Sequence, residues 1–309
     1  MVTLTLLFVD VFTTERFQGN ACAVVVDADQ LSDETMQQIA RELNQAETAF
    51  ILTSETADFR ARFFTPAEEI PLAGHPTIAS VFALLELDRL KPTPNRLVSV
   101  ELRDGPVEVE IFAAKDLPLK IMMAQRKPEF KQVYEPSAVL EIFGLAQDDL
   151  LPQCQIQTVS TGTPQLMIPL RSLESLQQAN LHVDAYREFQ RTADFFSPHL
   201  FCLQGATEAG QSFARHFGVP PDLPEDAFTG SATGGMAAYL WRYGLIEHPT
   251  FVAEQGHWMG RPGFAFVEIA GPRDDISSVR VGGHSVTAFR GELTFAEPRN
   301  RNLAGDAGS

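Results

Sequence analysis

Apolar and polar positions alternate along several stretches of the first half of the chain. The stretches are 3–12 (TLTLLFVDVF), 21–27 (ACAVVVD), 48–53 (TAFILT), 58–65 (DFRARFFT), 97–102 (LVSVEL) and 106–113 (PVEVEIFA). Such alternation gives an extended chain one apolar face, so these stretches are predicted to be strands. Two segments break the pattern with helical spacing. Between 32 and 45, Met36, Ile39, Ala40 and Leu43 fall on one face, and Ser32 suits the N-cap with acids in the first turn. Between 75 and 87 (HPTIASVFALLEL) nearly every position is apolar or small. A helix apolar all round must be buried, here inside a barrel of strands.

The second half follows the same plan. Strands are predicted at 155–161, 164–170, 199–204 and 212–218, and again near 250–254, 263–269, 278–282 and 285–296. Surface helices fit 136–144 and 171–192, and a second small-residue helix fits 229–245 (TGSATGGMAAYLWRYGL). The two buried helices superpose: Gly74 falls on Gly230, Thr77 on Thr233, Ala79 on Gly235 and Leu84 on Leu240. A glutamate precedes each glycine by five positions, Glu69 and Glu225. A duplication would give two similar α+β lobes with their helix starts facing one cleft. The stretches LKPTPNRLV and QRKPEFKQVYEPS are Pro-rich joints, and the second, near 125–137, is the expected boundary. The tail EPRNRNLAGDAGS is expected to be disordered.

Composition narrows the partners. The 309 residues suggest about two domains, and 44% apolar content is enough for a proper core. The 23 phenylalanines against 4 tyrosines and 2 tryptophans point to core filling. A net charge of −16 repels nucleic acid and anionic membrane, so an anionic substrate needs local donors to overcome the global field. Cys22, Cys154 and Cys202 are far apart and odd in number, which suggests neither a disulfide framework nor a CxxC metal site. No run approaches the ~20 apolar residues of a membrane span. The N-terminal stretch has no positive flank and contains Asp10, so it does not read as a signal peptide. A reduced, cytoplasmic protein is expected.

Chemistry concentrates at the helix starts. A helix N-terminus offers unpaired N–H groups and partial positive charge. Gly74 lets a ligand approach the backbone, Pro76 suits the first turn, and Gly230, Ser231 and Thr233 repeat the arrangement. Two such starts facing each other would clamp a carboxylate. Glu47, at the head of an apolar strand, is a candidate acid or base, because partial desolvation raises a carboxyl pKa. His75 and Asp226 are candidate partners, although each also suits a structural role at a helix start. The seven histidines lack HxxxH or HxH spacing, so no metal is expected. There is no GxSxG elbow, P-loop lysine or GxGxxG order.

Several blocks in order resemble the phenazine-biosynthesis PhzF-like isomerase family: VDVFTTERFQGNACAVV, LNQAETAF, RFFTPAEEIPLAGHPTIA, EDAFTGSATGGMAAYL, EQGHWMGRPG and VRVGGHSVTAFRGEL. The resemblance implies a diaminopimelate-epimerase-like α+β fold. Two similar lobes, each a curved, mostly antiparallel sheet around a central helix, would flank a cleft. With the boundary at the second joint, the N-terminal lobe is expected at 1–127, completed by about 286–298, the C-terminal lobe at 128–285, and a flexible tail at 299–309. The resemblance implies no cofactor and a homodimer. It makes Glu47 the acid–base residue, with His75 and Asp226 assisting, and assigns Asn20, Gly74, Gly230 and Ser231 to a small carboxylate substrate. Ala46 stands where the family often has Ser, and Ala227–Phe228 where it has Pro–Ala. Cysteine-dependent relatives of this fold carry a thiol before each glycine, where this chain has Ala73 and Thr229. The expected activity is therefore a proton shift by one glutamate. Epimerisation without catalytic cysteines, or non-catalytic small-molecule binding on the same scaffold, are the alternatives.

Overall fold

In a computed structural model of the chain, the described residues are 1–93, 95–115, 117–220 and 223–296. The expected tail at 299–309 lies outside them. The first lobe runs β1 (Val2–Val11), β2 (Asn20–Val26), α1 (Asp33–Leu43), β3 (Glu47–Leu52), β4 (Phe59–Phe64) and β5 (Glu69–Ile70). It continues with α2 (Gly74–Glu86), β6 (Arg96–Glu101), β7 (Val107–Phe112) and β8 (Lys120–Ala124). The second lobe runs β9 (Glu129–Tyr134), α3 (Pro136–Leu140), β10 (Ile156–Ser160), β11 (Pro164–Pro169), α4 (Leu173–Gln178) and α5 (Val183–Gln190). It continues with β12 (Ser197–Cys202), β13 (Ser212–Phe217), β14 (Glu225–Asp226), α6 (Gly230–Arg242), β15 (Thr250–Gln255), β16 (Gly263–Ala270) and β17 (Ser278–Gly283). β18 (Ser285–Phe295) then returns to pair antiparallel with β1.

Each lobe curls a mostly antiparallel sheet around one apolar helix. α2 packs on β1, β2, β3, β4, β8 and β18, and α6 on β10, β11, β12, β16 and β17. Every residue of α2 from His75 to Leu85 is buried, which is why its sequence shows no polar stripe. α1, in contrast, lies outside the first sheet. Its Met36, Ile39 and Ala40 pack with Phe50, Phe64 and Leu4, and Ser32 Oγ accepts a 3.2 Å bond from Thr35 N as its N-cap. Among the described residues no helix is long and apolar enough to cross a membrane.

The lobes repeat in register. β3 lies parallel to β2 and antiparallel to β4; β12 lies parallel to β11 and antiparallel to β13. A two-residue strand follows in each case, with Phe64 opposite Glu69 and Phe217 opposite Glu225. Arg62 grips Glu69 through two bonds of 2.8 and 2.9 Å, and Arg215 grips Glu225 through bonds of 2.9 and 2.7 Å. The glutamates that precede each helix by five residues are thus anchored to an arginine on the neighbouring strand. This pair fixes the turn that aims each helix start.

The elements depart from the sequence reading in several places, among them the two-residue strands β5 and β14, which no alternation predicts. β8 and β9 were not legible as strands, and β9 falls inside the Pro-rich joint. Its Glu129, Lys131 and Gln132 are exposed, and pairing with β10 rather than an apolar face makes it a strand. The span 171–192 is two helices, broken at Ala179–His182 where the chain turns back under Arg215. The span 136–144 is helical only to Leu140, then tightens into a 3₁₀ turn ending at Gly144, whose φ is 66°.

Candidate active site

The helix starts meet. A Cβ placed on Gly74 would lie 3.5 Å from the backbone nitrogen of Ser231 and 3.8 Å from the carbonyl carbon of Gly230. Neither N-cap side chain bonds to the helix it precedes. Ala73 has no donor or acceptor, and Thr229 spends its hydroxyl on Asp226 Oδ2 at 2.6 Å. The first-turn amides of both helices therefore face the cleft without a capping side chain.

That cleft encloses about 380 Å³, the size for a small metabolite. Its walls include Glu47, Gly74, His75, Asp226, Gly230 and Ser231, so six of the seven residues singled out from the sequence share one cavity. Asn20 does not line it. Its amide lies beneath the wall, donating 2.8 Å bonds to Asp226 Oδ1 and to the Phe228 carbonyl, with His75 Nδ1 at 3.3 Å. Its place is to hold the two groups that reach the cleft. Among the described lining residues there is no lysine or arginine. With a net charge of −16 on the chain, an anion here depends on the helix amides.

Glu47 opens β3, and its Oε2 lies 3.3 Å from His75 Nε2. The His75 side chain is 5% exposed and that of Glu47 22%, so the acid is the more accessible of the two. Burial lowers the His75 pKa to about 4, against the opposing pull of Asp226 and a bond to the Ala21 backbone. His75 is therefore neutral at pH 7. The Cys22 thiol, opposite Glu47 in the ladder, is pushed up by burial and then by the Glu47 charge, and so it stays protonated.

Residues missed in the sequence complete the site. Gln255 donates to the Asp226 carbonyl at 2.8 Å and accepts from Thr229 N at 3.2 Å, which fixes the turn before α6. Ser197, Gln165 and His216 also belong to the wall contributed by the second lobe. The only sequence signal for His216 was an ionisable ring at a buried position of β13. Among the described residues no group of three or more His, Cys, Asp or Glu could hold a metal ion.

Residues 9–291 match the family model described as phenazine biosynthesis-like protein. An uncharacterized isomerase from Clostridium acetobutylicum is 33% identical over 93% of this chain and 97% of its own length. The trans-2,3-dihydro-3-hydroxyanthranilate isomerase of Pseudomonas fluorescens is 31% identical over 94% of this chain and 99% of its own. The crystal structure of a Bacillus anthracis phenazine biosynthesis protein of the PhzF family superposes with a TM-score of 0.86. Its identity is 28%, covering 96% of this chain and 100% of that one. With two lobes, facing helix starts and relatives named as isomerases along its whole length, this chain belongs to the phenazine biosynthesis-like (PhzC-PhzF) family of isomerases.

Proposed function

We propose that the protein moves a proton within a small carboxylate substrate and that Glu47 removes and returns that proton. The observation that carries this reading is the 3.3 Å approach of Glu47 Oε2 to His75 Nε2, beside helix starts that no side chain caps. The neutral ring donates its one hydrogen to the Ala21 backbone, which leaves Nε2 as an acceptor placed toward Glu47 Oε2 to take a hydrogen from the protonated acid. Glu47 is thus supported once it has taken the proton. Charge that develops on the substrate carboxylate meets the amides of Gly74, Gly230 and Ser231, which are already in place. Asp226, held by Asn20 and Thr229, and His75 bind the remaining polar groups.

One acid–base group suits removal and redelivery on the same face of the substrate. Ala73 and Thr229 at the helix starts argue against an epimerase that works with two thiols. The Pseudomonas relative's name makes trans-2,3-dihydro-3-hydroxyanthranilate the first compound to assay, followed by other small unsaturated carboxylates. Solvent deuterium entering at a new carbon marks the shift. Glu47→Gln should lower the rate by ~10²–10⁴-fold, and full turnover by that variant overturns the role. We also propose a homodimer, to be tested by sedimentation. The lobe limits we propose are 1–127 with about 286–298, of which 297 and 298 lie outside the described residues, and 128–285; the return of β18 to β1 supports them.

A further inference from the structure

The repeat identifies which residue of the second lobe stands where Glu47 stands in the first. Phe50 pairs with Arg62 across β3 and β4, and Leu200 pairs with Arg215 across β12 and β13. Counting back three residues from each gives Glu47 and Ser197. The parallel ladders agree, with Cys22 opposite Glu47 and Gln165 opposite Ser197. Both residues line the same cleft.

Behind Ser197 the second lobe departs from the first in composition. Ala49 faces Phe63 across the first hairpin, and Phe63 faces Ile70. The matching places hold His199, His216 and Asp226. The fold forms with hydrocarbon there, so it does not need two buried imidazoles, whose burial is unfavourable without partners. They form a chain: Ser197 Oγ lies 2.9 Å from His216 Nε2, and His216 Nδ1 lies 3.3 Å from His199 Nδ1. Ser197 donates its one hydrogen to Gln165 Oε1 at 2.6 Å. His216 Nε2–H then donates to Ser197 Oγ, and His199 Nδ1–H to His216 Nδ1, with both rings neutral. Burial depresses both imidazoles, His216 to about 4, which keeps the chain uncharged. Ser197 Oγ has one lone pair left for a ligand.

We propose that Ser197, held in place by His216 and His199, reads an uncharged hydrogen-bond donor on the substrate, a hydroxyl or an amine, from the second lobe's part of the cleft wall. The substrate is then a small carboxylate with such a donor placed away from its acidic group. This rests on the isomerase reading for the positions of the carboxylate and of Glu47.

The test is calorimetric binding of three probes: 3-hydroxyanthranilate, anthranilate and 3-hydroxybenzoate. Comparing the first with the second isolates the hydroxyl, and the first with the third isolates the amine. In the unmodified protein one of the two ratios should favour the donor by roughly 3- to 10-fold. Ser197→Ala should bring that ratio near one while leaving the affinity of the probe lacking the donor unchanged. His216→Phe, which copies the first lobe's Phe63 and keeps the strand packed, should do the same. Loss of all affinities in equal proportion, or a ratio that survives both substitutions, overturns the proposal. Glu47→Gln should leave the ratio intact, so a failure of the glutamate's catalytic role and a failure of this inference appear in different measurements.

Discussion

Asn20 Nδ2 donates to Asp226 Oδ1 at 2.8 Å, a bond between residues 206 positions apart that joins the start of β2 to the turn before α6. The same nitrogen serves the Phe228 carbonyl. Both acceptors lose their donor in Asn20→Ala. Leaving the buried Phe228 carbonyl unsatisfied costs ~1–3 kcal/mol, and the part-buried Asp226 carboxylate adds less. The expected result is a lower denaturation midpoint together with weaker turnover, because Asp226 loses its orientation. Unfolding in urea and steady-state rates measure the two effects separately.

Gly74 and Gly230 should respond differently to an added methyl. At Gly74 the nearest atom to a new Cβ is Ser231 N at 3.5 Å, an ordinary contact. At Gly230 it is Phe12 Cζ at 3.0 Å, which has to give way. Gly74→Ala is therefore expected to keep stability within ~1 kcal/mol, since Ala also favours helix. It should weaken carboxylate affinity by about tenfold or more by crowding the amides. Gly230→Ala is expected to lose stability, by ~1–3 kcal/mol if Phe12 cannot shift. Thermal unfolding and titration with a small carboxylate distinguish them.

Acid should loosen the fold through its histidines. His75 and His216 have folded pKa values near 4, below the ordinary 6.5, and His199 is depressed as well. The unfolded chain binds protons first as pH falls, so stability present above about 6.5 is lost as pH drops toward 4. Each such proton adds a slope of about 1.4 kcal/mol per pH unit. Asp226 faces both His75 and His216, and Glu47 faces His75. His216→Phe should therefore flatten the pH dependence of unfolding between 6.5 and 4. An unchanged slope would count against a buried, neutral His216.

The two anchoring arginines are not equal. Arg62 bonds to Glu69 and, at its more exposed end, to Asp33. Arg215 bonds to Glu225 and also donates to the carbonyls of Leu176 and Ala179 at 3.1 and 2.7 Å. Arg215→Met should cost more than Arg62→Met. The upper end is the ~3–5 kcal/mol of a broken buried pair, lowered here by partial exposure. Equal losses on chemical denaturation would mean that the carbonyl bonds contribute nothing.

The sequence by itself determined the elements whose periodicity is local. Alternation marked most strands, and the unbroken apolar run at 75–87 announced a buried helix. The spacing of Glu69 and Glu225 before their glycines disclosed the repeat. It also supplied Glu47, His75 and Asp226, because ionisable residues stand out against apolar surroundings. Strand β9 stayed hidden, since its polar residues become a strand only when β10 supplies hydrogen bonds. Only the tertiary structure put Asn20 beneath the cleft and Ser197 in the same cleft wall as Glu47. Those relations depend on the register between strands distant in sequence, and register is set by packing across the whole sheet. The absence of lysine and arginine among the described lining residues has the same origin: composition reports how many arginines a chain has, and folding decides which of them face the cleft.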